Sequence, residues 1–239
     1  MAQREQRMLD TFVELADTLA NDFEVNEFLR MLIERCTELL QVSTAGVMLE
    51  TPDGHLRLAA ALTPEMEALE QAEVDNHDGP CHEAYRTGAA VVADDLQRSD
   101  VADRWPTVIA RMHTLGLRAV YAFPLRLRDD RIGALNLYRR RPGRFDDDDI
   151  RLAQAFADVA AIGIMQERKV TSAERRAEQL QHALDSRVLI EQAKGIISGE
   201  RAISIDEAFE AIRRHARSNH LRIQDVARSV IDLGADAID

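Results

Sequence analysis

The sequence has only two cysteines among 239 residues, Cys36 and Cys81, too few and too far apart for a disulfide framework or a protein-only zinc site. Reduced thiols are the expected state. Aromatic residues make up 5%, which argues against a chromophore pocket walled by aromatic rings. No run approaches the ~18 consecutive apolar residues of a membrane span, and the N-terminal Met1-Ala-Gln-Arg-Glu-Gln-Arg7 leads directly into an amphipathic pattern instead of a signal-peptide core. No membrane partner and a cytoplasmic location are therefore expected. There is no phosphate loop, nucleophile elbow or zinc signature, so neither a catalytic centre nor a metal is expected.

Basic charge is also short, with a formal net charge of −12. That argues against a general nucleic-acid binder, because phosphate affinity comes largely from Lys and Arg. The deficit is uneven. From residue 170 onward there are ten Lys/Arg against twelve Asp/Glu, a net of −2, which leaves −10 on the first 169 residues. Between Arg187 and Arg228 the balance turns to eight basic and six acidic residues. A nucleic-acid surface there would be a local face with salt-sensitive affinity.

The hydrophobic content, 46%, is enough to fill a core, and its spacing gives the organisation. Apolar positions at helical spacing (Met8, Leu9, Phe12, Leu15, Leu19, then Phe28, Leu32, Leu39), broken around Asn21-Asp22, predict two helices. Residues 45–50 and 56–60, joined by Pro52-Asp-Gly54, predict a hairpin. Residues 91–93, 119–127 and 132–138 predict three more strands, the last two turning at residues 128–131. Trp105-Pro106 is expected to anchor a loop over the sheet, with Trp105 packed in the core. Helices flanking an antiparallel sheet and closed by a long helix from Asp146 make an α+β domain.

No proline or strong breaker interrupts residues 147–194, so this helix is expected to join two domains, weakened only at Gly163. With Val170 at heptad position a, the a and d sites are Val170, Ala173, Ala177, Leu180 and Leu184, a seam that would pair with a second copy in a parallel coiled coil. Extended backward, the same register gives Phe156, Val159, Gly163 and Gln166. The alternative is a lone helix packed on its own domain.

The last fifty residues read as three short helices. Ser204 followed by Glu207 is a capping box, so a helix starts there and is expected to bury Ala208, Phe209, Ile212 and Ala216. Arg213, Arg214 and Arg217 fall within about one turn, and Asn219-His220 marks a turn before Arg222 and a third helix burying Ile223, Val226, Ala227 and Val230. Ahead of these, Ala193-Lys194-Gly195 combines a phosphate-reaching ammonium with two small residues whose bare surface would admit a base.

Three segments, Arg187-Val-Leu-Ile-Glu-Gln-Ala-Lys-Gly-Ile196, Ser204-Ile-Asp-Glu-Ala-Phe209 and Leu221-Arg-Ile-Gln-Asp-Val-Ala227, resemble the ANTAR domain. The resemblance implies a module that binds nascent RNA and suppresses transcription termination, with carry-over onto Arg187, Ala193, Lys194, Gly195, Arg213 and Asp225. Arg214, Arg217 and Arg222 complete the candidate RNA-binding set. It further implies recognition of paired hairpins in a leader transcript, with RNA polymerase affected indirectly, and a homodimer would suit two hairpins. The chain departs from the pattern at Ser198-Gly-Glu-Arg201 and at Ala216. Asp225 also has a plain role in the first turn of the third helix.

Upstream, Gly79-Pro-Cys-His-Glu-Ala-Tyr-Arg-Thr-Gly88, Phe123-Pro-Leu125 with Ile132-Gly-Ala-Leu-Asn-Leu137, and Phe145-Asp-Asp-Asp-Asp-Ile-Arg-Leu152 are similar to the GAF family. The resemblance implies a domain that binds an unidentified small molecule, holds a chromophore or haem, or simply dimerises, and fold does not choose among these; no cofactor is expected. Pro80 suits the first position of a helix, which would put Cys81, with His82, where backbone amides favour a thiolate and redox sensing. Cys81 as a small packed residue is the other reading. His77, Cys81 and His82 would suggest a metal or haem site, but the adjacent Cys81 and His82 diverge on a helix and do not easily converge on one ion. A GAF-like group reduces free methionine sulfoxide with several cysteines, but Cys36 sits in an amphipathic helix and no resolving partner is evident.

The expected organisation is a sensor at 1–165, a coiled-coil linker helix at 166–182 and a three-helix RNA-binding domain at 183–239. Action of the C-terminal helices through protein contacts is the competing output.

Overall fold

The computed structural model describes residues 2–20 and 23–238. It divides into two compact units, Met1–Arg168 and Lys169–Asp239.

In the first unit, α1 (Ala2–Ala20) and α2 (Val25–Leu40) are the two helices expected ahead of the strands. The break expected at Asn21-Asp22 lies outside the described residues. β1 (Thr44–Glu50) and β2 (Leu56–Ala61) form the hairpin, closed by the Thr51 backbone N–H and hydroxyl, both donating to the His55 carbonyl at 2.8 Å. Four helices then separate them from the next strand pair: α3 (Pro64–Asn76), α4 (Pro80–Thr87), α5 (Ser99–Ala102) and α6 (Pro106–Thr114), with β3 (Val91–Ala93) after α4. Proline opens α3, α4 and α6, where its missing N–H costs no hydrogen bond. Trp105 and Pro106 therefore start a helix instead of anchoring a loop; Trp105 is buried, with the Arg104 guanidinium 4.5 Å from its ring centre.

β4 (Ala119–Leu127) and β5 (Asp130–Arg139) turn through Arg128 and Asp129, with Arg128 in the left-handed region. The strand order is β2-β1-β5-β4-β3, every neighbouring pair antiparallel. Both faces are covered, which is why the central strands are apolar nearly throughout. Strand alternation sends Val47, Tyr121, Phe123, Leu135 and Leu137 to one face, against α1, α2 and the long helix α7 (Asp147–Arg201). It sends Met48, Val120, Ala122, Ala134 and Tyr138 to the other, against α3, α4 and α6.

The register of α7 changes function along its length. Phe156 is fully buried and stacks on Phe12 at 5.2 Å. A side chain at Gly163 would overlap Leu19, so glycine there permits close packing with α1. The backward extension of the heptad seam is thus consumed by the first unit's own core at Phe156 and Gly163. The forward seam is not: Val170, Leu180 and Leu184 are 50%, 72% and 55% exposed, and Ala173 and Ala177 are exposed with them.

In the second unit, α7 continues to Arg201 and is followed by α8 (Ile205–Ser218), α9 (Ile223–Leu233) and a 3-10 turn at Ala235–Ile238. Its core is small: Ala193 and Ile197 from α7, Ala208, Ile212 and Ala216 from α8, and Val226, Ala227 and Val230 from α9. The Ser198-Gly-Glu-Arg201 segment stays helical, and Ala202 ends it in the left-handed region. There the Ser198 hydroxyl donates to the Ile203 carbonyl at 2.6 Å, and the Glu200 carboxylate accepts from the Ala235 N–H at 2.8 Å. That segment ties the end of α7 to the residue before the α8 cap and to the 3-10 turn.

Candidate nucleic-acid interface

Arg187, Glu191 and Lys194 stand at i, i+4 and i+7 on α7, one stripe of the helix. Phe209, Arg213 and Arg217 stand at i, i+4 and i+8 on α8. The two stripes meet at Phe209: the Lys194 ammonium lies 5.5 Å from its ring centre and the Arg213 guanidinium 5.7 Å, both within cation–π range. Phe209 is only half-buried, in contrast to the fully buried position expected of it. Gly195, beside Lys194, is exposed, and a side chain placed there would meet open space. Arg187, Arg214, Arg217 and Arg222 are exposed, Arg222 as the residue that caps the start of α9.

Ala193 corrects the expectation of bare surface: it is fully buried in the core of the second unit. The cause is spacing, because Leu189, Ala193 and Ile197 at i, i+4 and i+8 form the inward stripe of α7. Its small size serves helix packing. Asp225 lies in the first turn of α9 and lines a cleft of about 190 Å³ with His182, Asp185, Ser186 and Arg228.

Two short-range ion pairs restrain the cations. Lys194 Nζ is 2.9 Å from Glu191 Oε1, and Arg213 Nη1 is 2.8 Å from Glu210 Oε1, each an i,i+3 pair on one helix. Such pairs contribute at most about 1 kcal/mol, so a phosphate can displace the glutamate at small cost. A half-exposed ring between two donors beside a bare backbone suits an unpaired base stacked on the ring with its phosphates held at the sides.

In the first unit, Pro80 is the first residue of α4 and Cys81 follows in the first turn, as the sequence suggested. The thiolate expectation fails there. Cys81 is fully buried; burial pushes its thiol well up, and the nearby Glu70 and Glu73 push it further. Its Sγ donates to the Ala134 carbonyl at 3.8 Å, so it packs as a buried thiol, the other reading the sequence allowed. Cys36 is equally buried, with its thiol raised by desolvation. His82 is half-buried and its pKa is lowered by burial and by His77, whose ring sits 6.0 Å away and 5.5 Å from His55. Among the described residues no group of His, Cys, Asp and Glu is arranged to hold a metal. Nor, among them, is any helix long and apolar enough to cross a membrane.

The sequence reading missed Glu70 and Glu73, on the inner face of α3, and Asn136 and Tyr138 opposite them on β5. All four side chains are fully buried. Asn136 Nδ2 donates to both Glu70 oxygens at 3.0 Å, and the Tyr138 hydroxyl lies 2.9 Å from a Glu70 oxygen and 3.3 Å from a Glu73 oxygen, sharing its one proton between them. Burial raises the Glu70 carboxyl to about 7, and raises Glu73 well above its usual range with help from the Glu70 charge.

A model of the GAF domain matches residues 24–165, more than half of the chain. The chain belongs to the GAF domain family. A model of the ANTAR domain matches residues 178–231, so the GAF domain is followed by a domain type that binds RNA in antitermination regulators. Both are sensor and regulatory modules, with no catalytic family matched. No curated protein matches the chain. Solved structures similar to it over the GAF part include the following three. The GAF domain of a phosphoenolpyruvate-protein phosphotransferase from Coxiella burnetii is 13% identical, with 70% of this chain and 98% of that one covered and a TM-score of 0.53. GAF3 from Slr1393 of Synechocystis sp. PCC6803 is 14% identical, covering 62% and 98%, TM-score 0.51. The free methionine-R-sulfoxide reductase from Neisseria meningitidis is 16% identical, covering 68% and 91%, TM-score 0.50. At these identities the likeness establishes the GAF fold and nothing of chemistry.

Proposed function

We propose that the protein is a signal-responsive, non-catalytic RNA-binding regulator, in which the GAF domain receives a small-molecule signal and the ANTAR domain binds paired hairpins of a nascent transcript and prevents termination. The observation that carries the reading is the junction of the two cationic stripes at Phe209, with Lys194 and Arg213 on either side and open backbone at Gly195. Arg187 and Arg217 extend the stripes, and Arg214 and Arg222 add exposed charge for phosphates. RNA is the direct partner and RNA polymerase the indirect one. The exposed seam at Val170, Ala173, Ala177, Leu180 and Leu184 supports a parallel homodimer through residues 166–182, which would present two ANTAR domains, residues 183–239, to two hairpins. A cytoplasmic location goes with RNA as the partner.

The test is binding of the full chain to a labelled RNA with two tandem short-loop hairpins, against a loop-scrambled control, over a salt series. Lys194→Glu with Arg213→Glu is expected to weaken loop-dependent binding more than a hundredfold, since two attractive contacts become repulsive. Neither residue lies on the helical seam, so the oligomeric state should not change. Equal affinity for both RNAs, or unchanged affinity in the folded double variant, would reject the site; capture of protein partners by the same surface would favour the protein-contact output instead.

A further inference from the structure

The GAF domain encloses a group of acceptors with no cation to satisfy it. Glu70 and Glu73 stand at i and i+3 on α3 and both are fully buried. Among the described residues no lysine, arginine or histidine side chain pairs with either acid. What they receive is neutral: the Asn136 amide, the Tyr138 hydroxyl and the Cys81 backbone N–H, which donates to Glu73 Oε2 at 3.3 Å. Two carboxyls so close cannot both be ionised in a dry interior without a countercharge.

A second observation sits on the same amide. Asn136 is fully buried, its Nδ2 is committed to Glu70, and its Oδ1 accepts no hydrogen bond from any described residue. A buried carbonyl left unpaired is destabilising and uncommon in native proteins, and calls for a physical reason. Strand alternation puts Asn136 on the α3 side of β5, between Ala134 and Tyr138, so this oxygen and the two carboxyls belong to one locus. Two glycines set its walls. A side chain at Gly46 would strike Glu70, and one at Gly79 would strike Glu73, so the backbone approaches the acids as closely as it can.

We propose that Glu70, Glu73 and the Asn136 carbonyl form the signal-binding site of the GAF domain, and that its ligand is a small primary ammonium compound. The match is one of count and sign. A primary ammonium carries one positive charge and three N–H donors, and the site offers three acceptors, two of them able to carry the countercharge. A guanidinium is planar and would place its donors in one plane, whereas this site draws its acceptors from successive turns on one face of α3 and from the strand opposite. Binding has a proton balance: the ammonium enters charged, an acid that was neutral gives up its proton to solvent, and the ion pair remains. The titratable groups around the site are Glu70 and Glu73 from α3, Cys81 from α4, Tyr138 from β5 and Asp78 from the turn between α3 and α4. Cys81 and Tyr138 are both pushed upward and stay neutral through the physiological range, so the released proton comes from the acid pair.

The proposal is independent of the RNA reading, and its test needs no RNA. Thermal unfolding of the full chain is followed at pH 7.5 with methylammonium and propylammonium chloride, against tetramethylammonium chloride, which has the charge without N–H donors, and sodium chloride at equal ionic strength. The primary amines are expected to raise the midpoint saturably and the other two salts not. Calorimetric titration in buffers of different ionisation enthalpy should show proton release, with apparent affinity falling about tenfold per pH unit below pH 7. Glu70→Gln and Glu73→Gln should each remove the response. The same midpoint shift with all four salts, or no shift with either amine, overturns the proposal in the wild-type protein alone, whatever the variants do; a response that survives in folded Glu73→Gln also overturns it.

Discussion

The GAF and ANTAR domains of this chain handle polar residues in opposite ways. The GAF domain has apolar side chains on both faces of its sheet, and with that much core it holds Glu70, Glu73, Asn136 and Tyr138 fully inside. The ANTAR domain has one core made mainly of alanine, valine and isoleucine, and keeps its cations at or near the surface. A large core tolerates the cost of buried acids in exchange for a selective interior; a small one has no such margin, so its chemistry is outside. The difference fits the proposed division into a domain that receives a small molecule and one that binds RNA.

Cutting each core should show the contrast most strongly. Ile212→Ala removes a fully buried side chain from the small core and is expected to cost about 2–5 kcal/mol, enough to unfold the ANTAR domain. Ile33→Ala makes a comparable cut in the GAF domain, where more neighbours remain. The single tryptophan, Trp105, belongs to the GAF domain, so its fluorescence separates the two. Far-UV circular dichroism should lose helix in Ile212→Ala while the Trp105 transition stays in place, and Ile33→Ala should move the Trp105 transition.

The buried acids give the next effect, and its sign is fixed by protons. Glu70 titrates near 7 in the folded chain against an ordinary value of 4.5, so between those limits the native state holds more protons than the unfolded one. Stability contributed at low pH is therefore lost as pH rises through this window, and Glu73, shifted in the same direction, extends the loss to higher pH. Glu70→Gln cannot ionise. In the absence of amine it should be close to wild type at pH 5 and more stable by about 3 kcal/mol at pH 8, measured by denaturant unfolding at both values. A flat difference across pH would mean that the acid is solvated, and the contrast between the domains would weaken.

These acids also mark where the sequence was legible and where it was not. The strands, the long helix and the capping box at Ser204 and Glu207 followed from period and punctuation, because their signals are local. α3 was missed because its buried stripe is Met66, Leu69, Glu70 and Glu73, at i, i+3, i+4 and i+7, and two of the four are glutamates. Hydrophobic periodicity is silent when charged residues take inward positions; the spacing itself was present. Ala193 was misplaced for a related reason: a small residue reads equally as open surface or as close packing, and only Leu189 and Ile197 on the same stripe decide it. Phe209 was placed inside because phenylalanine usually is, while its position at the edge depends on Lys194, fifteen residues away in sequence.

That edge position makes Phe209 the next test. Phe209→Ala should lower affinity for hairpin RNA by roughly ten- to a hundredfold, the range of one base–aromatic stack, while the oligomeric state holds. Phe209→Leu keeps the apolar contact without the ring and should recover stability but not affinity. Recovery of affinity with leucine would make the ring a core residue that happens to be partly open, and the ANTAR domain would then recognise RNA through its cations alone.

The smallest effect tests whether the ANTAR domain depends on local devices as its core size implies. The Ser204 hydroxyl accepts from the Glu207 N–H at 3.2 Å and the Glu207 carboxylate accepts from the Ser204 N–H at 2.8 Å, so two amides at the start of α8 are satisfied reciprocally. Ser204→Ala removes one of these bonds and is expected to cost about 1 kcal/mol. In the GAF domain, Thr63 caps α3 by a longer bond, 3.4 Å to the Met66 N–H, above a much larger buried interface. Thr63→Ala should therefore shift the Trp105 transition less than Ser204→Ala shifts the loss of helix in the ANTAR domain. An equal shift would place the stability of the small domain in its packing, and the lack of buried polar side chains among its described residues would need a reason other than core size.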